Sequence, residues 1–331
     1  LETQNVTPKP DPPAPLERAP LAYENPEFLA SHDARVLRML AEYSEPMARF
    51  RRERIQDTVV FFGSARFRSL EHASENLELL VNGKANAKAN SPGAPAAPPE
   101  ETGDGEQEAH ALHLAESAVE MARYYEDART LARMLTSWAR HLPGNRHRFV
   151  VTSGGGPGIM EAANRGAWEA GGKSIGLNIH LPHEQFPNPY ITPELNFEFK
   201  YFFMRKYWFA YLAKALLVFP GGFGTLDEMF EILTLSQTDK LEKKIPILIY
   251  GSSYWKHVLN LDMLAEKGAI ADHDRDLFQF VDTPEEAFHL LQQRLIENHP
   301  GLTAEPIRVE RPATPAPSAQ EVLGPDIART R

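Results

Sequence analysis

The sequence predicts an α/β fold: a Rossmann-like, doubly wound parallel sheet with helices on both faces. Two observations predict it. Short β-like runs alternate with helical patterns along the chain, and several runs are apolar at every position, as strands buried on both faces should be. Three of the junctions that follow those runs are small-residue loops entering helical patterns, and in an open parallel sheet ligands bind beyond the carboxyl ends of the strands.

The elements follow in order. Residues 1–20 are rich in proline and poor in periodic apolar positions, and read as a solvated tail. Residues 21–56 form an N-terminal helical extension, helical from Asp33 to Ile55 with a break expected at Pro46. The catalytic-type domain is expected over 57–299. Its β-like runs are Thr58–Phe62, Phe149–Thr152, Ser174–Ile179, Leu195–Phe199, Ala215–Phe219 and Ile245–Tyr250. After the first run, Asn82 to His110 has almost no large apolar residue and reads as a disordered insert, since burial there cannot offset ordering entropy. A long helical pattern ending in YYEDARTLARMLTSWAR follows it. Thr283-Pro-Glu-Glu opens a closing helix, with proline and acids in its first turn. Residues 300–331 read as a second tail.

Composition bounds the function. The chain has 331 residues, 42% of them hydrophobic, enough for a sizeable core. Its 35 basic and 45 acidic residues give a formal charge of −10, which argues against nucleic acid or an anionic membrane as partner. With no cysteine, disulfides, thiolate nucleophiles and zinc thiolates are excluded by inventory. No run approaches the roughly 18 apolar residues of a membrane span, and the N-terminus shows no signal-peptide pattern, so a cytoplasmic protein is expected.

The chemistry gathers at three junctions: Gly63-Ser64-Ala65-Arg66 after the first run, Ser153-Gly154-Gly155-Gly156-Pro157-Gly158-Ile159-Met160-Glu161 after the second, and Pro220-Gly221-Gly222-Phe223-Gly224-Thr225-Leu226-Asp227-Glu228 after the fifth. Glycines there allow backbone N–H groups to approach a ligand, and the amides of a helix N-terminus favour an anion such as phosphate. Commoner fingerprints fail. Gly154 and Gly156 begin a G-x-G, but Ile159 stands where the next glycine is required. Gly166 to Gly172-Lys173-Ser174 has five residues between its glycines, one too many for a Walker loop, and reads as a turn. Asp272-His-Asp-Arg-Asp276 and His183-Glu-Gln-Phe-Pro187 match neither a calcium loop nor a zinc HExxH, and read as solvated loop charges; His180 and His183 read as loop residues without catalytic duty.

The pairing of SGGGPGIMEAANRGA (Ser153 to Ala167) with PGGFGTLDE (Pro220 to Glu228), preceded by Met204-Arg205-Lys206, resembles the Lonely Guy family of phosphoribohydrolases. The likeness covers about Thr58 to Glu297. Members often carry the label lysine decarboxylase, yet nothing in this sequence marks a pyridoxal-phosphate lysine, and every notable loop suits phosphate. The resemblance implies a Rossmann-like fold, a homodimer, no metal or other cofactor, and hydrolysis of a nucleoside 5′-monophosphate such as cytokinin riboside 5′-monophosphate or AMP. It implies Arg205 and Glu228 as the catalytic pair and Gly221, Gly222, Gly224 and Thr225 as the phosphate holders. Gly63, Ser64, Gly154, Gly155, Gly156, Met160, Glu161 and Lys206 complete the candidate contacts to substrate. The N-terminal helices, the tails and the insert depart from the compact family pattern and leave the base open.

Several of these residues have plainer readings. Thr225 followed three residues later by Glu228 fits a capping box. Arg205, among aromatic neighbours, fits a buried structural ion pair. Asp227 fits a solvated acid at a helix start, and Lys206 a surface lysine. The rival function is a binding module of the same fold that carries a nucleotide or the molybdenum cofactor without cleaving it. A single-strand DNA-binding relative fits poorly with the acidic balance.

Overall fold

The computed structural model describes residues 18–89, 104–181, 186–241 and 245–302, and its fold is the Rossmann-like α/β class that the alternation predicts. α1 (Pro26–Ala30) and α2 (Arg35–Arg52) precede β1 (Thr58–Phe62). There follow α3 (Leu70–Ala89), α4 (Asp104–Ala139), β2 (Val150–Ser153), α5 (Ile159–Glu169), β3 (Ser174–Ile179), β4 (Asn196–Phe199) and α6 (Phe202–Tyr211). The chain continues through β5 (Ala213–Val218), α7 (Phe223–Gln237), β6 (Ile247–Tyr250), α8 (Ser252–Val258), α9 (Leu261–Glu266), β7 (Phe278–Val281) and α10 (Pro284–Asn298).

Among the described residues the sheet has seven strands, all parallel, in the order β4-β3-β2-β1-β5-β6-β7. The order reverses between β1 and β5, so the topological switch point lies beyond the carboxyl ends of these two strands. Successive residues of β1 feed opposite cores. Val59 and Phe61 pack with α4, α5 and α10, whereas Val60 and Phe62 pack with α2, α6 and α7. This two-sided burial is why the runs are apolar throughout rather than alternating. None of the described helices is long and apolar enough to cross a membrane.

Several expectations need correction. α2 runs unbroken through Pro46. Proline lacks an N–H and so frees the carbonyl four residues earlier, that of Glu42; the Trp208 indole N–H donates to that carbonyl at 2.9 Å and replaces the lost bond. α3 and α4 extend into both ends of the Asn82–His110 segment, whose Ala and Lys residues are compatible with helix. The remainder of that segment, 90–103, lies outside the described residues, as do residues 1–17, most of 300–331, and His183. β7, a four-residue strand, has no counterpart among the expected runs. The Asp272–Asp276 run is not simply solvated: Asp274 is buried, accepting hydrogen bonds from Gln237 Nε2 at 2.7 Å and from the Ala271 amide at 2.8 Å, and these hold its carboxyl below the usual range.

Candidate active site

The parallel sheet brings the three glycine-rich junctions to one edge, at the switch point, and backbone hydrogen bonds lock them together. The Ser64 amide donates to Pro220 O at 3.0 Å, the Ile159 amide donates to Ser64 O at 3.0 Å, and the Tyr254 hydroxyl donates to Gly221 O at 3.0 Å. Between them opens a cavity of about 530 Å³. Its walls include Gly63, Ser64, Gly154, Met160, Arg205, Gly222, Gly224, Thr225 and Glu228 from the expected set, together with Phe62, Ala65, Arg66, Phe202, Phe223 and Asp227.

Four expected residues stand behind this wall, and one on its flank. Gly155 and Gly156 face inward, where their carbonyls accept from Asn188 Nδ2 at 3.0 and 3.1 Å. Gly221 is buried under Thr225. Glu161 accepts from the Tyr125 hydroxyl at 2.8 Å. Lys206 directs its ammonium to Asp227 at 2.8 Å and Glu231 at 3.1 Å on the flank of α7. The first junction does not enter a helix directly, because α3 starts only at Leu70; α5 and α7 supply the helix N-termini at this edge.

α7 removes the capping-box reading of Glu228. A capping box would need Thr225 at the cap, but the N-cap is Gly222 and Thr225 lies inside the first turn; no described side chain caps this helix. Its first amides therefore face the cavity with the positive end of the helix dipole behind them. Glu228, one turn further in, is only 7% exposed. Its Oε1 lies 3.5 Å from Arg205 Nη1, too long for a well-formed ion pair. Burial outweighs that attraction and pushes the Glu228 carboxyl up to about 7.

Arg205 is mostly shielded from solvent, and this desolvation pushes its guanidinium below its usual value. Its Nε donates to Leu177 O within β3 at 2.7 Å, and the guanidinium packs 5.0 Å over the Phe209 ring. It is thus fixed by the sheet and left only loosely engaged with Glu228. A Cβ on Gly154 would fall 2.6 Å from Arg205 Nη2, so this glycine makes room for the guanidinium. Arg66, Phe202 and Phe223 were missing from the expected set. Arg66 stands in the first junction motif, but nothing local shows that aromatic rings at the starts of α6 and α7 both line the cavity. Among the described residues no three His, Asp or Glu side chains converge to hold a metal ion. His180 is an exposed partner of Glu198 at 2.9 Å, away from this cavity.

Fold and cavity together define a Rossmann-like α/β protein with its cleft at the switch point and a buried Arg–Glu pair beside an uncapped helix N-terminus. The particular kinship follows from comparison with known proteins. A family described as "Possible lysine decarboxylase" matches residues 160–291. The rice (Oryza sativa subsp. japonica) protein named cytokinin riboside 5′-monophosphate phosphoribohydrolase LOG is 28% identical over 156 residues, 46% of this chain and 63% of that protein. The Arabidopsis thaliana protein of that name, LOG3, is 26% identical over 152 residues, covering 45% of this chain and 69% of that protein. The Lonely Guy resemblance carried by the motifs is thereby borne out, over somewhat under two thirds of the rice protein's length. Among solved structures, the Moco carrier protein from Chlamydomonas reinhardtii is similar at 19% identity and a TM-score of 0.36, covering 53% of this chain and 89% of that one.

Proposed function

We propose that this chain hydrolyses the N-glycosidic bond of a nucleoside 5′-monophosphate, of the cytokinin riboside or AMP type, to give the free base and ribose 5-phosphate. The observation that carries the reading is Glu228, a buried carboxyl poised near 7 on the cavity wall, one turn from amides suited to a phosphate. In this scheme the phosphate rests on the first turn of α7, which brings C1′ of the sugar toward Glu228. As the C1′–N bond breaks, its electron pair leaves with the base, which takes up a proton from solvent, balanced when Glu228 afterwards returns to solvent the proton it takes from the attacking water. The carboxylate faces the positive, oxocarbenium-like sugar and accepts a proton from the water whose oxygen bonds to C1′. Arg205, loosely engaged with Glu228, partly offsets its charge.

Glu228→Gln tests the chemical step. Glutamine keeps the size and hydrogen bonding of the side chain but neither its charge nor its basicity. The expected result is normal folding, retained binding of AMP, and a fall in kcat of roughly 10²-fold or more. Near-native kcat in this variant overturns the reading, and a change confined to KM assigns Glu228 to ground-state binding.

We also propose a homodimer or dimer-based assembly, because α6 and α7 expose Phe202, Phe203, Phe223 and Phe230 on neighbouring surfaces, Phe223 being 90% exposed. Light scattering at micromolar concentration should report at least a dimer; a fully active monomer contradicts it.

A further inference from the structure

A second concavity lies at the opposite end of the sheet, where β2 and β3 begin and where α4 and α5 end. It holds about 480 Å³, and its lining includes Arg54, Arg140, Arg146, Arg148 and Lys173 but no carboxylate. A smaller cavity of about 330 Å³ shares Arg54, Asn145 and Arg146 with it and adds Arg51. In a chain of formal charge −10 this is a marked local reversal of sign.

Structural duties account for three of these cations. Arg148 Nη2 pairs with buried Asp57 at 2.8 Å, and Lys173 Nζ with Glu53 at 2.8 Å. Arg140 donates to Ala170 O at the end of α5, where a cation suits the helix dipole. Arg54 and Arg146 have no such duty: neither side chain meets a carboxylate or a carbonyl among the described residues. Arg54 also sits in the left-handed backbone region, at φ 56°, with its carbonyl accepting from the His147 amide at 2.8 Å. His147 is pushed below its usual value, first by desolvation and then by Lys173, with Glu53 opposing and Arg54 adding.

Thr136, 6% exposed, contributes to the lining from the last turn of α4. The glycine turn Gly171-Gly172, with Gly171 at φ 68°, brings Lys173 to the rim, so the stretch that superficially resembles a Walker loop serves this cavity and not the cleft.

We propose that this cavity binds a small, multiply phosphorylated metabolite at a site distinct from the cleft. Its volume falls in the range of roughly 300–1,000 Å³ typical of small-molecule sites. Guanidinium forks suit phosphate oxygens, and two unpaired arginines around one concavity match two phosphate groups better than one. The acidic balance of the chain disfavours a nucleic acid as occupant. β2 separates cavity from cleft by roughly 13 Å at the usual rise of a strand, so the two sites can fill independently.

The test is calorimetric titration of inorganic pyrophosphate into the full chain at low salt, in wild type and Arg54→Gln/Arg146→Gln. The expected result is saturable binding in wild type, weakened at least 10-fold in the double variant, with both melting cooperatively and AMP binding unchanged. Arg146→Gln alone serves if the double variant fails to fold, and should weaken binding measurably. Absence of saturable binding up to millimolar pyrophosphate, or binding that survives loss of both arginines, overturns the proposal. A single-stranded oligonucleotide that binds more tightly than pyrophosphate, with the same dependence on Arg54 and Arg146, overturns the ligand class.

Discussion

The loops after β2 and β5 are both rich in glycine and both border the cleft, but their glycines answer to different constraints. In the first, Gly155 has φ 76°, and a Cβ there would fall 2.3 Å from Asn178 Oδ1. Gly158 has φ 71°, and its Cβ would meet the Ser64 carbonyl at 2.4 Å. Buried amides cement this loop: Asn188 bonds to the Gly155 and Gly156 carbonyls and to Asn164, and Ser153 donates to Asn164 at 2.7 Å. In the second loop, a Cβ on Gly222 or Gly224 meets nothing within 4 Å, and neither residue has a positive φ. The first loop is glycine-rich because the protein's own packing demands it. Packing makes no such demand at Gly222 and Gly224, which fits a requirement set by close approach of a ligand to the α7 amides.

Gly155→Ala should produce the largest effect. It combines a strained backbone with a clash against a buried, hydrogen-bonded side chain, so a loss of about 3 kcal/mol or more in denaturant unfolding is expected. A loss under about 0.5 kcal/mol would break the distinction between the loops.

Glu228→Gln sharpens it through pH. The folded state raises this carboxyl from 4.5 to about 7, so it disfavours the charged form. A raised acid costs stability progressively as pH rises from the unfolded value through the folded one, and the cost is absent below both. Glu228→Gln should therefore match wild type near pH 4.5 and exceed it in stability above pH 7, by at most about 3 kcal/mol. Wild-type kcat/KM should rise with pH through about 7 as the carboxylate forms. A profile that falls through the same range would make Glu228 an acid instead.

Gly224→Ala should have the smallest effect on stability and the clearest dissociation. Alanine favours helix over glycine by up to about 1 kcal/mol, and Gly224 lies in the first turn of α7, so stability should hold or improve. Activity on a monophosphate should nevertheless fall, with KM raised. Stability and activity both unchanged would remove the ligand from the explanation of this loop.

How much of this was legible in the sequence depends on how local the cause is. Five of the seven strands, β1, β2, β3, β5 and β6, are legible because two-sided burial leaves a signature in each run, and β4 at the edge through its alternating Phe197 and Phe199, though ends shift by a residue or two. β7, with Phe278 and Phe280 only partly buried at the sheet edge, lacks that signature. The three junctions are legible because the glycines are consecutive. Which glycines face the cavity is not, since that depends on Asn178 and Asn188, remote in sequence. Pro46 misleads for the same reason: the donor that repairs its helix, Trp208, lies 162 positions along the chain. The Thr225–Glu228 spacing fits a capping box, but the helix starts three residues earlier than that box requires.

The most direct measurement is base release by the wild-type chain from AMP and from adenosine, followed by chromatography under identical conditions. If the α7 amides hold a 5′-phosphate and so position the sugar against Glu228, binding energy from the phosphate is expressed at the bond that breaks. AMP should then be cleaved with a kcat/KM at least roughly 10²-fold above that of adenosine. Comparable efficiency on the two would contradict the phosphate-centred account, and no base release from any nucleoside monophosphate would contradict catalysis itself.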